Sequence, residues 1–330
     1  MTLYGIPYQG SKTKIAPNII NILPKGNRFV DLFGGGFAMS HCARLSKKYN
    51  VVLYNELNPL LPPLIKDALL GKYNYNKFKP EFITREKFSE GKENDGYIKY
   101  IWSFGNSGKE YLFGKELEPI KREAHDFVVF GKPTKHFKQV EKAVTSKDIH
   151  QRRIQFCGWF RQHKKRFDIE QLERLERLEQ LERLNRFDLQ QLEQLERLQQ
   201  LERLERLQQL EQLERLQQLE RLERLQQLER LERLQQLEQR IIVRCGSYED
   251  YEYQNGDVVY CDPPYEGTAD YGNSFDSKKF YDWVKTRPYQ VWFSSYQGVK
   301  WFKLVWAKQI RSSLGAGNKS INFECLYTNR

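Results

Sequence analysis

Four apolar runs along the chain each end on a polar or glycine-rich turn. FVD at 29–31 leads into LFGGGFAMS, VVLYNE at 51–56 ends on an acid, DVVYC at 257–261 runs into DPPY, and YQVWFSSY spans 289–296. Short runs that are apolar at successive positions fit strands buried on both faces. The helical stretches between them predict parallel βαβ units and an open α/β sheet. In such a sheet ligands bind at the carboxyl ends of the strands, which is where the first three motifs fall.

Between residues 84 and 166 the pattern changes. YIKYIWSFGNSGKEYLFGK is followed by a basic run, and Lys132 to Arg166 holds 11 Lys or Arg against two acids. Phe137, Phe156, Trp159 and Phe160 are interleaved with these charges. Basic side chains with aromatics suit contact with a nucleic-acid backbone and splayed bases. The plainer reading is a solvated face over a small core.

From Leu172 to Leu237 a leucine, or Phe187 in one place, recurs every third residue, with one slip at Phe187-Asp188-Leu189. A coiled coil needs a period of 3.5, so this stretch is not one. On an α-helix three residues advance about 300°, and successive leucines drift about 60° around the rod. A straight α-helix of about 70 residues would be about 105 Å long, yet the chain must return to the strand holding Val258 and Val259. The expectation is a fold-back, as a helical hairpin or a compact solenoid. A spacer or structural insert and an arm for DNA or a partner are both open.

Charge sharpens the picture. The chain of 330 residues carries a net +11. Residues 168–239 hold 18 acids and 12 arginines, a net −6, so the remainder carries 11 + 6 = +17. That excess favours a polyanionic partner, because each neutralised phosphate releases counterions. The five cysteines, Cys42, Cys157, Cys245, Cys261 and Cys325, show no Cys-x-x-Cys spacing, which argues for free thiols and against a zinc site. The first ten residues lack a signal pattern, and no stretch approaches the roughly 18 apolar residues of a membrane span. A cytoplasmic protein with no bound metal is expected.

Three motifs carry chemistry. Gly34, Gly35 and Gly36 follow a strand and would let backbone approach a ligand, although they lack the dinucleotide-binding spacing. Glu56, at the end of the next strand, is placed to accept hydrogen bonds from ribose hydroxyls. Together they point to a nucleoside-containing cofactor, and no GxxxxGK[ST] phosphate loop is present. Asp262-Pro263-Pro264-Tyr265 is more specific. The prolines donate no hydrogen bonds and stiffen the turn, so the strand end presents acceptors only, the Asp262 carboxylate and the Pro263 carbonyl. Two fixed acceptors would draw an exocyclic amino nitrogen toward a tetrahedral shape and free its lone pair for attack on a sulfonium methyl. Tyr265 offers a ring face for a base flipped from the duplex.

At this point the chain resembles the N6-adenine DNA methyltransferases of the DNA adenine methylase type. The resembling segments are Tyr8-Gln9-Gly10-Ser11-Lys12, DLFGGG from Asp31 to Gly36, NELN from Asn55 to Asn58, WSFGNSGK from Trp102 to Lys109, DPPY, and ECLYTN from Glu324 to Asn329, which matches a closing hairpin. The resemblance implies a Rossmann-like fold that binds S-adenosyl-L-methionine through Tyr8, Lys12, Asp31, Gly34, Gly36, Glu56 and Asp262. It further implies that Asp262, Pro263 and Tyr265 hold adenine in double-stranded DNA. Glu56 stands where the family more often has Asp. The expected organisation is a methyltransferase domain from residues 1–83 and 240–330, an inserted target-recognition region at 84–167, and the leucine-triplet insert at 168–239. Cytosine N4 methylation is the alternative within enzymes, and a non-catalytic DNA-binding scaffold the alternative outside them. A restriction endonuclease partner, phage self-protection and a solitary role all stay open, as does the oligomeric state.

Overall fold

The computed structural model describes residues 4–73, 78–115, 117–135, 140–149, 151–159, 231, 234, 237, 240–265, 275–296, 298–311 and 321–330. Among them seven strands form one sheet: β1 (Arg28–Asp31), β2 (Val51–Glu56), β3 (Ile241–Cys245), β4 (Asp257–Cys261), β5 (Val291–Tyr296), β6 (Lys303–Arg311) and β7 (Ile321–Thr328). Their order is β3-β2-β1-β4-β5-β7-β6. The first five are parallel, and β7 runs antiparallel between β5 and β6. The mixed α/β sheet agrees with the sequence pattern. β3 was not expected: its five residues lie just after the leucine triplets at the edge of the sheet, with only partial burial and no long apolar run.

The central strands β1, β2 and β4 are apolar over most of their length because both of their faces are covered. Phe29, Val52, Val258 and Tyr260 point to one face, where they meet Ile15, Ile19 and Ile20 of the α1 region (α1, Ala16–Ile22) and Met39, Cys42 and Ala43 of α2 (Ala38–Leu45). Val30, Leu53, Val259 and Cys261 point to the other, where they meet Phe280, Trp283 and Val284 of the helix at Ser277–Thr286. This is the period-two alternation of a strand with an apolar residue at every step. The entry ends of β1 and β4 are clamped by a two-pronged ion pair, with Arg28 Nε 2.8 Å from Asp257 Oδ1 and Nη2 2.7 Å from Oδ2. β1 and β4 lie side by side where the winding reverses, with β2 on one flank and β5 on the other. Their carboxyl ends therefore open the crevice that such sheets use for ligands.

The chain divides into two compact units, the first comprising Met1–Asn74, Arg85–Tyr111 and Gln226–Arg330, the second Tyr75–Thr84 and Leu112–Leu225. The aromatic segment 85–111 thus groups with the sheet. In the second unit, the helix at Glu118–Phe130 packs Phe127 and Val128 against Val140 and Val144, with Phe156 and Trp159 alongside. That helix stops at Gly131, whose φ of 69° is the left-handed conformation that glycine adopts without cost. Arg152 donates from Nε and Nη2 to the Val128 and Val129 carbonyls at the same helix end. Most of the leucine-triplet stretch, and so its expected fold-back, lies outside the described residues. Leu231, Leu234 and Leu237 are described, and all three are buried. No helix among the described residues is long and apolar enough to cross a membrane.

Candidate active site

The glycine turn after β1 is shaped by its own neighbours. A Cβ on Gly34 would lie 2.1 Å from the Tyr54 ring, and one on Gly36 would lie 2.5 Å from Tyr8 Cβ. Glycine is needed here so that the fully buried Tyr54 and the N-terminal segment can close on the turn. Tyr54 then donates from its hydroxyl to the Gly35 carbonyl at 2.8 Å, and the Ile6 amide donates to the Gly36 carbonyl at 2.8 Å. Phe37, which caps the following helix, takes a left-handed φ of 68°. A bulky residue held there is locally strained, and such strain clusters at functional turns.

Glu56 at the end of β2 grips the same turn. Its Oε2 accepts from the Gly35 amide at 2.8 Å and its Oε1 from the Asn58 amide at 2.9 Å. Asn58 in turn donates to the Tyr100 hydroxyl at 2.6 Å, and the Tyr100 ring meets the Tyr8 ring edge-on at 5.2 Å. Asp31 ends β1, almost fully buried, with Oδ2 accepting from the Ser40 hydroxyl at 2.7 Å. Its Oδ1 is buried with no hydrogen-bond partner.

At the end of β4, Asp262, the buried Pro263 and Tyr265 form the second half of the site. Lys12, in a single 3-10 turn at Lys12–Lys14, places Nζ 3.0 Å from Asp262 Oδ1 and 3.2 Å from Glu324 Oε1. The single proton of the Tyr265 hydroxyl is shared between two acceptors, Asp262 Oδ1 at 3.1 Å and Glu324 Oε1. The Lys12 ammonium sits over the Tyr265 ring, 4.6 Å from its centroid, and Tyr296 meets that ring edge-on at 4.6 Å. Lys12, Asp262 and Tyr265, named from sequence, are thus brought together. Tyr8, Asp31, Gly34, Gly36 and Glu56 gather around the glycine turn.

Burial sets the charge states. It pushes Asp262 up to about 6, with Lys12 pulling down and Glu324 pushing up. It pushes Asp31 up to about 7, opposed by the Ser40 hydrogen bond and reinforced by the charges of Asp262 and Glu56. Glu56 is also raised by burial, against the pull of the Asn58 and Gly35 amides. For Lys12 burial disfavours the charge, but Asp262 and Glu324 outweigh it and hold the ammonium above its ordinary range. The Tyr265 hydroxyl is driven well above its ordinary value, first by burial and then by the two carboxylates, so it stays a donor.

Several residues of this site were not singled out as site residues from sequence, among them Glu324, Asn58 and Tyr100, together with Ser40, Tyr54 and Tyr296. Glu324 is buried on β7 and pairs in register with Tyr296 of β5. Its signal was present but faint, an acid in the middle of the otherwise apolar run FECLY. Among the described residues no group of three or more His, Cys, Asp and Glu side chains is placed to hold a metal ion.

No individual curated protein matches the chain. The sequence model of the family described as D12 class N6 adenine-specific DNA methyltransferase matches residues 8–143 and 217–289, well over half of the chain. The match takes in Tyr8, Lys12, the glycine turn, Glu56 and the DPPY turn. The chain therefore belongs to the D12 class of N6 adenine-specific DNA methyltransferases, enzymes that transfer a methyl group from S-adenosylmethionine to adenine N6 in DNA.

Proposed function

We propose that S-adenosylmethionine is held between the glycine turn and the DPPY turn, and that Asp262, Pro263 and Tyr265 hold the target adenine beside it. The observation that carries this reading is the Lys12–Asp262–Tyr265–Glu324 cluster at the end of β4, beside the β1 end that bears Asp31. The donor set fits the cofactor. Its ammonium, sulfonium and ribose hydroxyls call for acceptors and negative charge. Asp31 feels the charges of Asp262 and Glu56, and its Oδ1 is a buried acceptor lacking a donor. Glu56 is already oriented by two amides and keeps acceptor capacity for a ribose hydroxyl. Tyr8, Lys12, Gly34 and Gly36 complete the surround.

The bound cofactor supplies an electrophilic methyl group. The protein's part is to prepare the amino nitrogen. Lys12 and Tyr265 both engage Asp262 Oδ1, so the carboxylate is fixed before substrate arrives. Oδ2 and the Pro263 carbonyl then accept the two amino protons of adenine and localise the N6 lone pair. An acceptor fixed in advance needs no reorganisation at the moment of reaction. After transfer N6 must shed a proton, and Asp262, held near a pKa of about 6, can accept it.

An amino group inside a duplex is out of reach of such a cleft, so the adenine must leave the stack. In this reading the second unit, with its basic and aromatic stretch, carries target recognition, and the leucine triplets form a further insert. Digesting treated DNA to nucleosides for mass spectrometry tests the assignment. N6-methyladenine is expected, and N4-methylcytosine alone would overturn it.

A further inference from the structure

Beside the catalytic turn lies a cavity of about 550 Å³ whose walls include Tyr265 and Tyr296. Its far wall is the 298–302 segment between β5 and β6 together with the outer face of the helix at Ser277–Thr286. Trp301 stands there 85% exposed. Lone exposed apolar side chains are ordinary. Trp301 differs in three respects. It holds a left-handed φ of 81°, a conformation that costs a bulky residue and must be imposed by its surroundings. Lys285 lies 5.8 Å from its ring centroid and 5.9 Å from that of Phe302. Lys278 and Lys300 join Lys285 in the lining against one acid, Asp282, which sits 3.7 Å from Lys285. A presented aromatic ring on a cationic wall that runs into the catalytic tyrosine is complementary to an unstacked base and its phosphates.

We propose that this wall is a DNA-binding surface in addition to the second unit. Lys278, Lys285 and Lys300 take phosphates flanking the target nucleotide, and Trp301 stacks on a base exposed when the adenine leaves the duplex. The inference rests on the assignment of the catalytic cluster above, because it uses the cavity's continuity with Tyr265. It grips the strand on both sides of the extruded nucleotide, which would hold the duplex open while the amino group is seated.

The test uses the full chain and a fluorescein-labelled, mixed-sequence, unmethylated duplex, with binding followed by anisotropy across a salt series. Removing one lysine–phosphate pair lowers the slope of log K against log salt by about 0.9, so K278Q/K285Q/K300Q together should lower it by about 2 to 3. Trp301→Ala should weaken binding about tenfold at fixed salt with little change in slope, and Trp301→Phe should restore most of it. S-adenosylmethionine binding by calorimetry, unchanged in every variant, shows that the fold is intact. Should any variant lose cofactor binding, single Lys→Gln changes read the slope instead. An unchanged slope in the lysine variants, or full affinity in Trp301→Ala, overturns the proposal. Labelled methyl incorporation by the unaltered chain separates the two readings. Incorporation with unaffected variants sinks this surface alone, whereas no incorporation sinks the catalytic assignment.

Discussion

Lys12 Nζ and Asp262 Oδ1, 250 positions apart in the chain, meet at 3.0 Å on the floor of the site. The pair is largely removed from water, with side chains 12% and 16% exposed. Removing one partner of a buried pair leaves an uncompensated charge and typically costs about 3–5 kcal/mol. Lys12→Met should therefore lower stability by that order, while Lys12→Met combined with Asp262→Asn should recover part of the loss. Thermal melting of the three proteins at neutral pH measures this.

Asp262 must be ionised to accept from an amino group. Because burial raises it to about 6, activity should fall as pH drops through about 6, well above the range of an ordinary aspartate. Lys12 holds that value down, so Lys12→Met should move the acid limb of the rate profile to higher pH. Single-turnover methyl transfer from about pH 3.5 to 9 reads both effects, and an acid limb near 4, the ordinary aspartate value, would show that Asp262 is not raised in the working enzyme.

Glu324 acts through its neighbours, Tyr265 and Lys12. Glu324→Gln keeps the shape and removes the charge. It should lower kcat by roughly tenfold to a hundredfold, the range expected when a charge-assisted hydrogen bond is removed, with a smaller change in KM for DNA. It should also shift the acid limb down, since Glu324 pushes Asp262 up. Unchanged kcat and an unmoved limb would remove Glu324 from the site.

Asp31 predicts a pH-dependent stability. Its folded value near 7 exceeds its unfolded value, so the native state binds the proton more tightly. Stability from this group is present below about pH 4 and is lost as pH rises through about 7. Asp31→Asn should melt higher than the unaltered chain at pH 8, with the gap closing toward pH 5. Calorimetric scans at those two values suffice.

Gly34→Ala would bring a methyl group to 2.1 Å from the Tyr54 ring, which is fully buried and cannot swing away. Overpacking of this kind costs about 1–3 kcal/mol. A drop in melting temperature with weakened cofactor binding is expected, whereas Gly105→Ala adds a methyl into open space and strains only the backbone.

How far the sequence carried this picture follows from distance along the chain. The glycine turn, the Glu56 strand and DPPY were legible because each is an apolar run ending in a turn, a signal contained within about ten residues. Tyr8 and Lys12 were read from resemblance alone, since nothing local marks a lysine as buried between carboxylates. Glu324 stayed hidden as a site residue for the same reason, as its partners Tyr265 and Lys12 are distant in the chain and meet it only in the folded protein. The break read at residue 84 followed a change in composition. Packing instead groups 85–111 with the sheet, where Tyr100 reaches Tyr8 and Asn58.

The pairing of β2 with β3 has a consequence for the order of folding. Asn55 donates to the Gly246 carbonyl across 191 positions, so residues 57–240 form one excursion between neighbouring strands. Contacts so distant along the chain return nothing until the excursion has closed, which makes this edge of the sheet a slow step of folding.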